Sequence, residues 1–319
     1  MKTHDVVIVN YNGEKIISNC LKSIYGSTVK PSKVIIYDNA SVDKSLKIIR
    51  QKFPQVKLIA GKTNIGFGRA NNAGMKYCDG ELILFMNNDV ILDKNCTQEL
   101  LGGFEDERIA IINPIIYTGW QKRANAPVYS FGAQMNTSGF GYGLFDQGDD
   151  NQDLNCFSGA CFMARAKTIK KLQFEKRFFL YYEEPELSTR ILIANLKIAR
   201  KKKAKSYHLE NYSSPKKKAA GICFRQFYAI QNRFYMIGRY WPTTLLMHAV
   251  PLNVLHLFYN LFFFIRSGHL RKASIIYLAV ASFIAGRKKY KKRSDTSWTK
   301  NLVDSRLSKI LDLRKKVYR

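Results

Sequence analysis

The feature that most constrains this chain is a repeated order in its first ninety residues. A short β-branched or apolar run comes first, then a polar turn, then a segment with helical spacing. Residues 5–10 carry Val6, Val7, Ile8 and Val9 in succession, which suits a strand buried on both faces. In residues 14–25, Ile16, Ile17, Cys20, Leu21 and Ile24 recur one helical turn apart. Strand-like runs return at 34–37, 56–60 and 82–86. Helical segments lie at 45–53, ended by Pro54, and at 69–78. This alternation predicts an α/β fold with a mostly parallel sheet flanked by helices. In such sheets ligands bind beyond the carboxyl ends of the strands. The segments in those places, 10–13, 38–43, 61–68 and 87–89, are polar, glycine-containing or acidic. They predict a site along one edge.

Residues 117–155 are rich in Gly, Asn, Ser and aromatics and read as antiparallel hairpins or a loop over the site. Residues 157–164 read as a small buried segment, and 178–190 lead from an aromatic run into a helix. The composition changes near residue 220. Residues 224–240 have an aromatic helical pattern, and 245–265 are almost wholly apolar. At about 20 residues the second stretch is long enough to cross a bilayer. Its polar members, His248, Asn253, His256 and Asn260, fall within one arc of roughly 140° at 100° per residue. A segregated polar face predicts a helix that lies in a membrane interface or packs on protein, with Pro251 as a kink. Residues 275–285 are apolar but too short to span alone. The expected organisation is a catalytic domain over 1–220 and a basic helical extension over 221–319.

The chain has 52 Lys+Arg against 24 Asp+Glu, a formal charge of +28. A charge of that size speaks to partners rather than fold. The basic runs at 200–205, 216–218 and 287–293 would ordinarily be solvated surface. Near an anionic leaflet each Lys or Arg contributes about 1 kcal/mol, so the runs also fit an anionic membrane surface. If both apolar segments crossed the bilayer, Arg266, Arg271 and Lys272 would lie outside, against the positive-inside tendency. The expectation is a helical pair dipping into the cytoplasmic leaflet, and so a cytoplasmic protein peripheral on the inner face of the cell membrane. Residues 1–13 contain no long apolar stretch, so no signal peptide is expected. Six scattered cysteines without metal-ligand spacing read as free thiols in a reducing compartment. No nucleic-acid module is recognised, and nucleic acid is not an expected partner.

Several constellations could carry chemistry. The glycines at 61–68 do not form a phosphate loop, because Phe67 and Gly68 stand where Lys and Ser/Thr are needed. Together with the lack of a dinucleotide fingerprint after the first strand, this argues against an NTPase and a dinucleotide enzyme. Asn87, Asn88 and Asp89 follow an apolar strand. Their oxygens suit a hard divalent cation, although taken alone the triplet reads better as a plain turn. Glu183, Glu184 and Glu186 crowd behind the aromatic run 178–182. They are candidates for general-base work or for the start of a helix, and both readings hold together. His208, after the basic run, is by itself more often structural than a ligand.

The joint order of these segments is what becomes familiar. Residues 7–13, 38–43, 64–74, 87–89, 158–160 and 182–187 with Arg190 form a series that resembles family 2 glycosyltransferases, in particular a rhamnosyltransferase-like bacterial branch. The resemblance covers about residues 4–240. It implies a GT-A-type fold and an inverting single displacement on a nucleotide-activated sugar. It implies that Asp38 meets the nucleobase edge, that Asn10 and Asn12 line the nucleoside pocket, and that Asn64, Gly66 and Asn88 join the donor site. Asp89 would be the metal-binding acid for Mg²⁺ or Mn²⁺, and His208 matches a histidine that in some members approaches the metal or diphosphate. Glu184 would be the catalytic base, and Ser158, Gly159 and Ala160 would lie near the acceptor. Two departures stand out: Asn87 replaces the first acid of the DXD-like motif, and Glu183-Glu184 stands where many relatives have Glu-Asp, which leaves Glu183 as a second candidate for the base.

The expected activity is that of a hexosyltransferase or rhamnosyltransferase. It would use a dTDP- or UDP-sugar donor and a glycan or polyprenyl-diphosphate-linked acceptor in cell-surface polysaccharide biosynthesis. A non-catalytic scaffold with the same fold is the alternative from another class. A nucleotidyltransferase, which would release pyrophosphate, is the second enzyme reading.

Overall fold

The computed structural model describes residues 2–119, 126–145, 154–209, 218–268, 274–288 and 296–302. The alternating half forms β1 (His4–Asn10), α1 (Ile17–Tyr25), β2 (Lys33–Asp38), α2 (Ser45–Lys52), β3 (Lys57–Ala60), α3 (Phe67–Gly74) and β4 (Leu82–Asn87). Val6, Val7 and Ile8 are fully buried because helices cover both faces of β1. On one face Val6 and Ile8 pack with Ile17, Cys20, Leu21 and Ile24 of α1. On the other, Val7 packs with Ile35, Phe85 and Phe162.

The second half adds β5 (Val90–Leu92), α4 (Cys96–Gly102), β6 (Ile109–Thr118), β7 (Val128–Ser130), β8 (Ala133–Met135), β9 (Gly141–Gly143), β10 (Cys161–Arg165), α5 (Ala166–Leu172), α6 (Glu183–Ile193) and β11 (Lys197–His208). Among the described residues the main sheet has the order β3-β2-β1-β4-β10-β6-β11-β5, with β7 on β6. β1, β2, β3 and β4 pair in parallel. β10 is antiparallel to both β4 and β6, and β11 is parallel to β6. It follows that β1, β2, β3, β4, β6 and β11 all run one way. β5, β7 and β10 run against them. The carboxyl ends of the first set and the starts of β5 and β10 therefore share one edge. β8 and β9 form a separate hairpin, in the region read as hairpins or a loop.

Sequence reading did not foresee β11 as a strand or the burial of Arg200. The run 200–205 reads as solvated cations, yet it lies in a strand between β6 and β5. Arg200 is fully buried, with its guanidinium 4.4 Å from the Phe131 ring centre and donating to the Phe131 carbonyl. A register shift between Lys201 and Lys205 lets Lys202 and Lys203 reach solvent while Ala204 and Ser206 stay inside.

The last third forms α7 (Lys218–Tyr240), α8 (Thr243–Arg266) and α9 (Ile275–Lys288). They share a core of Met135, Phe234, Ile237, Trp241, Phe264 and Ile275. The Trp241 indole donates to the Thr137 carbonyl at 2.6 Å. α8 stays helical on both sides of Pro251, and by length and composition it is apolar enough to cross a membrane. The segments 269–273 and 289–295, with Arg271, Lys272, Lys289, Lys291, Lys292 and Arg293, and the lysines 216–217 lie outside the described residues. Cys20, Cys78, Cys96, Cys156 and Cys161 are free and buried. Burial pushes the thiols of Cys78, Cys156 and Cys161 up to about 12, which leaves them unreactive.

Candidate functional site

The shared edge collects most of the residues singled out in the sequence. Asn10, at the end of β1, is fully buried and saturated. Its amide donates to Asp38 at 2.7 Å and to Ser45 at 2.9 Å, and its carbonyl oxygen accepts from Asn88 at 2.9 Å. Asp38, at the end of β2, also accepts from the backbone and hydroxyl of Ser41. Three strand ends are thus locked into one polar network. A buried network of this kind is rigid only when every member is satisfied. Asn12 adds a left-handed residue (φ 51°), and its side chain accepts from the Val42 backbone. Asn64 is exposed and accepts from the Gly66 amide at 3.0 Å.

Gly66 is required by both conformation and space. Its φ is +85°, and a Cβ there would lie 2.1 Å from the Phe179 carbonyl. That carbonyl accepts from the Phe67 amide, so the aromatic run in front of α6 is seated on the Gly66 turn. Asn39 closes the same loop by accepting from the Ile65 amide at 2.9 Å.

Asp89 lies between β4 and β5, and His208 ends β11. The pairing of β11 with β5 brings His208 opposite Val90 and places its Nε2 3.0 Å from an Asp89 carboxylate oxygen. Both side chains are mostly buried, at 7% and 16% exposure. Nδ1 of His208 is buried without a hydrogen-bond partner. A carboxylate and an imidazole at the mouth of a strand-end cleft fit one half of a divalent-cation site. Among the described residues no group of three or more His, Cys, Asp or Glu gathers. A metal held there would draw its remaining ligands from a bound anion or water.

Ser158, Gly159 and Ala160 precede β10 on the same edge. The Ala160 carbonyl accepts from the Asn87 amide at 2.9 Å, and Asn113 brackets Ser158 through both its backbone groups. Glu184 lies directly over this segment: a Cβ on Gly159 would meet its carboxylate oxygen at 1.9 Å. Glu183 turns the other way. Its side chain packs against Gly68, and one carboxylate oxygen is buried without a partner. Glu186 diverges again, held by Arg190 at 2.6 Å and by the Tyr240 hydroxyl. The three crowded carboxylates thus have three surroundings. Burial, with the Glu184 charge second, pushes Glu183 well above the usual carboxylate range. Burial raises Glu184 as well.

The turn that presents them is strained. Tyr181 and Tyr182 are consecutive non-glycine residues at φ 68° and 72°, a conformation costing of order 1–3 kcal/mol each. Asn232 of α7 holds it, donating to the Leu180 carbonyl at 3.1 Å and the Tyr181 carbonyl at 2.8 Å. Sequence reading missed Asn232 and Asn113, which sit in unremarkable local sequence and reach the edge only through the paired chains; Asn39 and Ser41 lie in the segment 38–43 that it placed at the edge.

A family model described as glycosyl transferase family 2 matches residues 5–173. The N-acetylglucosaminyl-diphospho-decaprenol L-rhamnosyltransferase of Mycobacterium tuberculosis is 23% identical over 218 residues, 58% of this chain and 69% of that protein. In six other curated relatives the shared stretch is 12–32% of their length, so the chain spans less than a third of those proteins. Among solved structures, GalNAc-T7 with UDP, GalNAc and Mn²⁺ superposes with a TM-score of 0.60 at 15% identity, covering 76% of this chain and 49% of that one. TarS 1–349 of S. aureus with UDP-GlcNAc superposes at 0.57 and 17% identity, covering 89% and 81%. These likenesses identify a GT-A fold.

Proposed function

The chain belongs to glycosyltransferase family 2, and from that premise we propose that it moves a hexose or rhamnose, with inversion, from a dTDP- or UDP-sugar to a hydroxyl of a glycan or polyprenyl-diphosphate-linked acceptor. The setting is cell-surface polysaccharide biosynthesis, with residues 1–220 as the catalytic domain and 221–319 as an extension that holds it to the inner face of the membrane. Support for the donor comes from the nucleotide and nucleotide-sugar ligands of the superposed structures. Support for the acceptor comes from the name of the mycobacterial relative.

The observation that carries the reading is Glu184, a half-buried carboxylate held over Gly159 on the strand-end edge that also bears Asp89 and His208. In the reaction the acceptor oxygen attacks the anomeric carbon and the bond to the diphosphate breaks, the leaving group taking its electron pair. Glu184 receives the proton of the acceptor hydroxyl, and its raised pKa makes it a stronger base than a free carboxylate. Glu183, turned onto Gly68 and favoured in its neutral form by burial, shapes the wall beside Glu184. The Asn10–Asp38–Asn88 network holds the nucleoside side of the cleft, with Asn12, Asn64 and Gly66 forming its rim. Ser158, Gly159 and Ala160 form the floor under the acceptor. A divalent cation, when bound by Asp89 and His208, offsets the charge developing on the diphosphate.

Donor turnover by Glu184→Gln and Asp89→Ala variants, with calorimetric titration of dTDP, UDP and GDP with and without Mn²⁺, tests the reading. Loss of transfer in both variants, with metal-dependent binding of one nucleotide, is the expected result. Unchanged transfer in both would sink it, and failure of every nucleotide to bind would favour a scaffold.

A further inference from the structure

α8 is amphipathic in an inverted sense. Its inward face is a stripe of Leu246, Ala249, Asn253, Leu257, Asn260 and Phe264 that runs from end to end of the helix. Of the polar members, Asn253, His256 and Asn260 are used against the protein, while His248 is exposed. Asn253 donates to the Ser138 carbonyl at 2.9 Å, and His256 Nδ1 lies 2.8 Å from an Arg233 nitrogen and 3.0 Å from Asn260. The outward face is apolar at helical spacing: Met247 is 72% exposed, Leu255 57%, Phe258 61%, Phe262 62% and Ile265 52%. Tyr277, Val280 and Ile284 form an exposed stripe on α9. Helix α8 has 24 residues, so the face is about 36 Å long. Contiguous apolar surface on that scale marks an interaction site.

Charge selects the occupant. Between Glu210 and Asp295 the sequence holds no acidic residue, while Lys and Arg flank both helices at 266, 271–272 and 287–293. A second copy would bring two such cationic stretches together on chains of formal charge +28, which repel. An anionic lipid surface attracts them and accepts the aromatic and aliphatic side chains between them.

We propose that the outward face of α8 is an in-plane docking surface for an anionic lipid bilayer, with Phe258 and Phe262 as its main inserting residues. The proposal deepens the membrane-facing part of the function given above and rests on that reading for its purpose. The helix lies along the surface and does not span it, because its inner stripe is fastened to the protein along its whole length. α8 packs with α7 in one core, and Asn232 of α7 grips the turn before Glu184. Docking therefore fixes the orientation of the cleft relative to the lipid plane, as a lipid-linked acceptor requires.

Flotation of the full chain with phosphatidylcholine vesicles, with and without phosphatidylglycerol, tests this. The wild-type chain is expected to float with the anionic vesicles, to bind more weakly as salt is raised, and to be released by alkaline carbonate. The double variant F258Q/F262Q should lose about tenfold or more in apparent vesicle affinity while keeping its melting temperature and its nucleotide binding. Equal flotation of the variant, resistance to carbonate, or a vesicle-free dimer that the variant dissolves would each overturn the proposal. A chain that docks but turns over no sugar nucleotide would instead refute the enzymatic reading and leave the surface standing.

Discussion

Helices α1 and α8 are both amphipathic, and they face opposite ways. α1 turns Ile17, Cys20, Leu21 and Ile24 into the sheet and its polar residues to solvent. α8 turns Asn253 and Asn260 inward and Phe258 and Phe262 outward. The first orientation is what water alone demands. The second is stable only because the inward amides find backbone and side-chain partners. Its outer face, left uncovered among the described residues, is suited to lipid rather than water. On the proposed reading, the same contrast divides the molecule between a strand edge for chemistry and a helical layer for placement.

The largest expected effect separates those two roles. Glu184→Gln should lower kcat by about 10²–10⁴-fold, the usual contribution of a positioned base. F258Q/F262Q should leave turnover of a water-soluble acceptor unchanged. Steady-state kinetics on both variants checks the division, and equal losses would erase it.

One substitution made in both helices sharpens the comparison next. Leu21→Ala removes a fully buried side chain and should cost about 2–5 kcal/mol. Leu255→Ala acts on a side chain 57% exposed and should stay within about 0.5 kcal/mol in detergent-free buffer. Denaturant midpoints decide, and a large loss at Leu255 would mean that its face is covered.

A smaller effect tests whether the helical layer reaches the site. Asn232→Ala strips two carbonyls of the strained turn of their donor. It should reduce kcat by about tenfold to a hundredfold through misplacement of Glu184, with donor KM unchanged. A change confined to stability would deny α7 that positioning role.

The smallest effect concerns Glu183. Its folded pKa lies above the unfolded one, so the folded state binds the extra proton. Its stabilising contribution is complete below the unfolded pKa and is lost as pH rises through the folded value. Glu183→Gln should therefore flatten the fall in melting temperature with rising pH and make the protein more stable than wild type at the alkaline end. A parallel pair of melting curves against pH would remove this account of Glu183.

The alternating strands and helices of the first half were legible because each element carries its own period. Val6 to Val9 fill a strand buried on both sides, and the apolar residues of α1 recur one turn apart. Three of the four residues of the polar arc of α8, Asn253, His256 and Asn260, were legible in the same way, while His248 is exposed. β11 was hidden because its lysines and arginine obscure a strand that exists only through pairing with β6 and β5. The short strands β7, β8 and β9 have three residues each, too few to show a period.

From sequence alone came the residue types at the strand ends, the family resemblance, the charge and the amphipathic tail, all of which are local or compositional. The tertiary structure decided which Glu of the pair lies over Gly159, that Asp89 meets His208, that Arg200 is buried, and that the polar face of α8 is the one turned inward. Each of these depends on chain segments remote in sequence being brought within a few ångströms. Local periodicity carries no information about such pairings, because they are set by strand order and by which hydrogen bonds the folded chain can complete.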